Sequence, residues 1–298
     1  MSSYKHQVSL LLQVLPEIAK ESCFALHGGT AINLFIREMP RLSVDIDLTY
    51  IPIEDRSTSL KSIVTALGNI KTNIERVVPK VQITLKQETL KLQVATVEAQ
   101  IKIEVNQINR GILGAIVKLP LCEKAQEEFD AFCAIPLVSL GQLYGGKICA
   151  ALDRQHPRDM FDVKFLLQNE GFTDDIKKGF MLCLLSSNRP LNEMLQPNLI
   201  DQEETMVNQF EGMSSEPFTY FDFENSRAQL IDVIHKSLTD KDKEFLVSFN
   251  NLAPDWSIYD FERFPAIQWK LKNGNRLKTK NPEKFNEFKT YLEEALKG

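Results

Sequence analysis

The sequence predicts an α/β (α+β) domain over residues 1–138, followed by a mainly helical domain over residues 139–298. Three observations carry this expectation. Apolar and polar residues alternate in "RLSVDIDLTYIP" (41–52) and again from Val81 to Val105, the period of half-buried strands. Around these stretches the apolar residues recur instead at helical spacing. After about residue 138 the alternation ceases, and helical segments follow one another with prolines at 190, 197, 217 and 254.

Taken in order, Val8, Leu11, Leu12, Leu15 and Ile18 place one apolar face on a helix over residues 6–20. "CFALH" reads as a short buried strand, and Gly28-Gly29-Thr30 opens a second helix to about Arg37. "RLSVDIDLTYIP" is a strand closed by Pro52, and residues 54–68 return to helical spacing. "VQITLKQ", "LKLQVAT" and "QIKIEVN" read as antiparallel strands joined by turns, with "GAIVKLPL" adding an edge strand. "LVSLGQLYGGKICAALDRQ" is a helix, and Pro157 suits the first turn of another that runs to about Asn169.

At 298 residues, with 43% hydrophobic and 25% charged, the chain has the composition of a soluble globular protein. Five cysteines, Cys23, Cys122, Cys133, Cys149 and Cys183, never form a CxxC pair, so neither a zinc knuckle nor a disulfide framework is indicated. No leader pattern and no apolar run near 18 residues is present, which predicts a cytoplasmic protein with no membrane partner. A formal charge of −5 argues against wrapping by nucleic acid, and no DNA partner is expected. One stretch departs from that balance: "WKLKNGNRLKTKNPEK" (269–284) sets six basic residues against Glu283 alone. It reads either as a solvated face or as a local RNA contact.

The candidate chemistry lies in the alternation. In a strand, residues i, i+2 and i+4 share a face, so Ser43, Asp45 and Asp47 point one way and Val44, Ile46 and Leu48 the other. In "IKIEVN", Lys102, Glu104 and Asn106 likewise share a face. If the two strands are neighbours, Asp45, Asp47 and Glu104 converge, and their mutual repulsion calls for a cation. Magnesium accepts hard oxygen ligands and combines one or two carboxylates with substrate phosphates. Gly28 and Gly29, just before a helix, would let backbone N–H groups approach a phosphate, with Thr30 beside them or serving as an N-cap.

"HGGTAINLFIREMPRLSVDIDL" resembles the first motif of nucleotidyltransferases of the DNA polymerase β superfamily, in its AbiEii/AbiGii toxin-like branch. "IKIEV" resembles the second motif, with Glu104 where Asp is frequent, and "YGGKICAALDRQHPRDMFDV" (144–163) the third; "FPAIQWKL" resembles a C-terminal signature. The resemblance implies a nucleotidyltransferase domain with a mixed sheet, and a helical domain that completes an active-site cleft. It implies that Gly28 and Gly29 cradle an NTP triphosphate with Thr30 and Ser43 nearby, and that Asp45 and Asp47 bind Mg2+, with Mn2+ as the alternative ion. Glu104 would complete the metal site and act as base. Lys147 and Arg158 would contact phosphates, with Asp159 and Asp162 beside them and Asp162 in a catalytic role. A phosphate on Ser43 would add about −1.5 to −2 charge beside the carboxylates, an off switch.

By the same resemblance, the expected reaction moves an NMP from an NTP to an acceptor hydroxyl, with RNA as acceptor and tRNA 3′ ends first. The physiological role would be that of a toxin restrained by an antitoxin partner. Other readings stay open: a non-catalytic nucleotide-binding protein, or transfer to a protein hydroxyl. Glu104 could be a strand carboxylate paired with Lys102, Lys147 a solvated lysine, and Arg158-Asp159 a helix-start ion pair. "DIDLT" also matches the DxDxT signature of haloacid-dehalogenase-type phosphatases, although "RLSV" is not the apolar strand that precedes it there.

Overall fold

The alternating segments assemble into one mixed sheet. The computed structural model describes residues 3–297. The strands are β1 (Phe24–His27), β2 (Asp45–Tyr50), β3 (Gln82–Lys86), β4 (Lys91–Ala95), β5 (Gln100–Val105), β6 (Val117–Pro120) and β7 (Ala134–Leu137), in the order β3-β4-β5-β2-β1-β7-β6. β2 runs antiparallel to β1 and parallel to β5. β1 and β7 are parallel, while β3-β4, β4-β5 and β6-β7 are antiparallel. The apolar halves of the alternation explain the core: Ile46, Leu48, Leu92, Val94, Ile101 and Ile103 are all buried.

Helices cover the sheet. α1 (Ser3–Ile18) buries Val8, Leu11, Val14 and Leu15 completely. α2 (Gly28–Ala31) widens at once into a π-type segment, Ile32–Ile36, so the helix expected to reach Arg37 keeps α geometry for a single turn. α3 (Arg56–Val77) buries Ile63, Leu67, Ile70 and Ile74, and Asp55 caps it by accepting the N–H groups of Ser57 and Thr58. Its apolar spacing carries it nine residues past the expected end at 68. α4 (Glu123–Phe129) and β7 were not anticipated; both are too short to show a period.

The chain divides into two compact units, one of residues up to Ser139 with Phe210–Pro217, the other of Leu140–Gln209 with Phe218 onward. In the first, the returning segment is stitched to residues 40–42. Leu42 N–H donates to the Met213 carbonyl at 2.7 Å, Ser215 N–H to the Pro40 carbonyl at 3.1 Å, and Arg41 bridges Ser214. Phe210 and Met213 are buried. Those bonds explain why the strand predicted over 41–52 begins only at Asp45: the backbone before it is turned toward this segment.

The second unit is helical: α5 (Leu140–Arg154), α6 (Pro157–Asn169), α7 (Asp174–Ser186), α8 (Leu191–Leu195), α9 (Glu203–Gln209), α10 (Tyr220–Ser237), α11 (Asp240–Asn250), α12 (Pro265–Lys280) and α13 (Pro282–Ala295). Here α5 and α7 touch backbone to backbone, because a Cβ on Gly145 or Gly179 would collide with the main chain of the other helix. Thr219 and Thr239 start α10 and α11 with reciprocal caps to Asp222 and Asp242. All five cysteines are free thiols, and among the described residues no helix is long and apolar enough to cross a membrane.

Candidate functional site

Register brings the first set of candidate residues together. Antiparallel pairing sets His27 opposite Asp47, so the turn that follows β1 starts beside that carboxylate. Gly28 has φ +76°, where L side chains are strained, and a Cβ there would run into the Asp47 carboxylate. A Cβ on Gly29 would meet Arg41 Nη2 at 2.8 Å and Ser43 Oγ at 3.1 Å. In this turn, glycine at 28 thus relieves backbone strain, and at both positions a side chain would have to displace its neighbours. Asn33 fixes it from the next turn, its Nδ2 donating to the Gly29 carbonyl at 2.9 Å.

Thr30 is fully buried and ties the turn to β2. Its hydroxyl donates to the Asp45 carbonyl and lies 3.0 Å from Ser43 Oγ. Ser43 is buried too, just before the strand, while Asp45 and Asp47 are half-buried. Parallel pairing of β2 with β5 places Asp47 opposite Glu104 and Asp45 opposite Lys102. The three carboxylates thus occupy one sheet face, backed by Ile46, Leu48, Ile103 and Val105 on the other. The ion pair of Glu104 is with Lys91 of β4 at 2.8 Å, not with Lys102. Both partners are about one-third exposed, so this pair is weak and screened.

Sequence reasoning missed Arg41. It is 3% exposed, its Nη1 donates to the Leu42 carbonyl at 3.0 Å, and its guanidinium stands over Gly29. A signal was present, since R-x-S-x-D-x-D extends the alternation by one more step, from Asp47 back to Arg41. A buried guanidinium beside a glycine turn is suited to phosphate oxygens.

Asp45 and Asp47 supply hard oxygens on one face, next to backbone N–H groups and a buried cation; this donor set fits a divalent ion that shares its remaining positions with phosphate oxygens. Among the described residues no three His, Cys, Asp or Glu side chains gather closely enough to cage a metal by themselves. A metal held here would therefore need oxygen ligands from outside the chain, such as those of a phosphate.

The other candidates sit in the helical unit. Lys147 on α5 is 6% exposed, and its ammonium lies 2.8 Å from Asp159 Oδ1 and 2.9 Å from Asp162 Oδ2, both on α6 and both 1% exposed. Arg154 Nε adds a 2.6 Å contact to Asp159. Burial pushes the Asp159 carboxyl up, but Lys147 and Arg154 outweigh it and hold the group well below the usual carboxylate range. Arg158 contributes its backbone N–H to the helix start, donating to His156 Nδ1 at 3.1 Å, with Pro157 in the first turn.

The sequence matches the model of a family described as the nucleotidyl transferase AbiEii toxin of type IV toxin–antitoxin systems, over residues 9–273. The fold is similar to that of the nucleotidyltransferase toxin MenT4 from Mycobacterium tuberculosis, at 12% identity and a TM-score of 0.62, covering 92% of this chain and 94% of that one. No curated protein matches the sequence.

Proposed function

The chain belongs to the AbiEii nucleotidyltransferase toxin family and is a nucleotidyltransferase, and from that premise we propose that it moves an NMP from an NTP to an RNA hydroxyl, tRNA 3′ ends first. The observation that carries the proposal is the Asp45–Asp47 face beside a tight double-glycine turn, left-handed at Gly28. Asp45 and Asp47 would hold Mg2+, or Mn2+ in its place, whose chemistry is to neutralise charge on the triphosphate and the leaving pyrophosphate. Backbone N–H groups of the Gly28–Gly29 turn bind phosphate oxygens, and Arg41 supplies fixed positive charge behind them. Glu104, level with Asp47, takes the proton of the attacking hydroxyl. No covalent intermediate is required, so holding the acceptor in line with the α-phosphorus supplies the remaining rate.

We assign Lys147, Asp159 and Asp162 to fastening α5 and α6 together, since the lysine's charge is directed at two buried carboxylates. An antitoxin that restrains the activity fits the family.

The test supplies each α-labelled NTP separately to purified protein with magnesium and total bacterial RNA. Label in a discrete RNA band from one nucleotide identifies reaction, base and acceptor class. Label on protein instead replaces the RNA acceptor by a protein hydroxyl, and NTP binding with label in neither replaces transfer by binding alone.

A further inference from the structure

The helical unit carries a basic stretch that the proposed reaction leaves unused. A cavity of about 220 Å³ opens between α12, the 186–192 segment, and the ends of α11 and α13. A dry cavity of about 150 Å³ already accepts benzene, so this one has room for a larger planar ring. Its walls are apolar, with Phe249, Leu252 and Leu277 among them, and Trp269 stands at the side, 48% exposed. Four carboxamides also line it: Asn188, Asn192, Asn250 and Asn273. Each carries a donor and an acceptor side by side, the pattern that base edges present.

The wall is built, not incidental. Lys270 reaches across from α12 and donates to the carbonyls of Ser187 and Arg189 at 2.6 and 2.8 Å, fixing the 186–192 segment against the helix. Burial pushes its ammonium down to about 8. Charge runs beside the cavity. Between Pro265 and Lys280, α12 has five basic residues and no acidic one. At 100° per residue, Ala266, Lys270, Asn273 and Leu277 face the cavity, and Lys272, Arg276 and Lys280 form an adjacent exposed stripe within which Trp269 falls. None of those three cations has an ion-pair partner among the described residues.

We propose that this cavity is an acceptor-strand site, which takes one unstacked nucleobase of single-stranded RNA against Trp269 while its flanking phosphates follow Lys272, Arg276 and Lys280. The inference rests on the proposed RNA acceptor and deepens it. An apolar peptide would use the walls but leave the four carboxamides and the cation stripe unanswered; a base with its phosphates uses all three.

The test measures fluorescence anisotropy of a fluorescein-labelled eight-nucleotide single-stranded RNA on full-length protein carrying Asp45→Ala, so that binding is read without transfer. Trp269→Ala should weaken binding about tenfold, and Trp269→Phe should restore most of it. Arg276→Gln should lower the slope of log K against log salt by about 0.7. The same sequence as a duplex should bind more weakly and ignore Trp269→Ala. Unchanged single-strand affinity in Trp269→Ala overturns the site, as does an equal loss for duplex and single strand. If wild-type protein transfers no nucleotide to RNA yet Trp269→Ala weakens single-strand binding as expected, the reaction reading fails and the cavity stands as a single-strand RNA site without the acceptor role.

Discussion

Replacing Lys147 by Met tests whether this lysine is scaffold or phosphate ligand. Its ammonium is 6% exposed and contacts two carboxylates that are each 1% exposed, so the substitution takes a buried counter-ion from both. Breaking a buried pair from one side costs about 3–5 kcal/mol. Arg154 still reaches Asp159 at 2.6 Å, but its side chain is 61% exposed and its compensation is screened. With an m-value of about 2 kcal/mol/M, urea unfolding of the helical unit should shift down by about 1.5–2.5 M. Lys147→Met/Asp159→Leu/Asp162→Leu removes the buried members, leaving only the exposed Arg154, and should recover much of the loss, because apolar replacement of a buried ionic group is near neutral. Far-UV circular dichroism against urea measures both. A Lys147→Met midpoint within about 0.3 M of wild type, with nucleotide transfer abolished, would refute the scaffold assignment and make the lysine a substrate ligand.

Gly28→Ala should cost about 1–2 kcal/mol from its left-handed backbone and should also displace Asp47, so transfer falls well beyond what lost stability explains; rate and urea midpoint measured together separate the two effects. As a control, Gly68→Ala in α3 meets nothing within 4 Å and should raise stability by about 0.5–1 kcal/mol without touching activity. Gly179→Ala drives a methyl into the Gly141 backbone and should lower the thermal midpoint by the equivalent of about 1–3 kcal/mol, read by calorimetry. The sign for acid follows from Asp159, whose folded value lies below its ordinary one. Its contribution is complete above the ordinary carboxylate range and is lost as pH falls through and beneath it. Urea midpoints should therefore drop from about pH 5 downward in wild type and less steeply in the triple variant.

What was legible in the sequence was whatever carried a period. The alternation in Asp45–Tyr50 and Gln100–Val105 fixed which face holds the carboxylates, and it made their pairing a natural expectation; β2 and β5 are indeed parallel neighbours with Asp47 opposite Glu104. Helices with long apolar stripes, such as Pro157–Asn169, were equally plain. β7 was not, because four residues with Pro136 inside them show too little pattern to separate a strand from a loop. Nor was the return of Phe210–Pro217 to the first unit, which depends on backbone bonds to residues 40–42 that leave no spacing behind. Arg41 was only partly legible: its spacing put it on the carboxylate face, but its burial over the glycine turn depends on that same contact. Lys147 shows the opposite limit: its position on a helix could be read, but its two carboxylates could be assigned to it only once α5 and α6 were seen side by side.

The central claim is that the Asp45–Asp47 face carries nucleotide transfer, and the most direct measurement is transfer of α-labelled NTP by Asp45→Ala and Asp47→Asn beside wild type. Both residues are half-buried, so both variants should keep the wild-type circular dichroism spectrum and urea midpoint. The expected result is magnesium-dependent label incorporation by wild type and none above background by either variant. Incorporation at the wild-type rate by a folded Asp45→Ala protein would contradict the account.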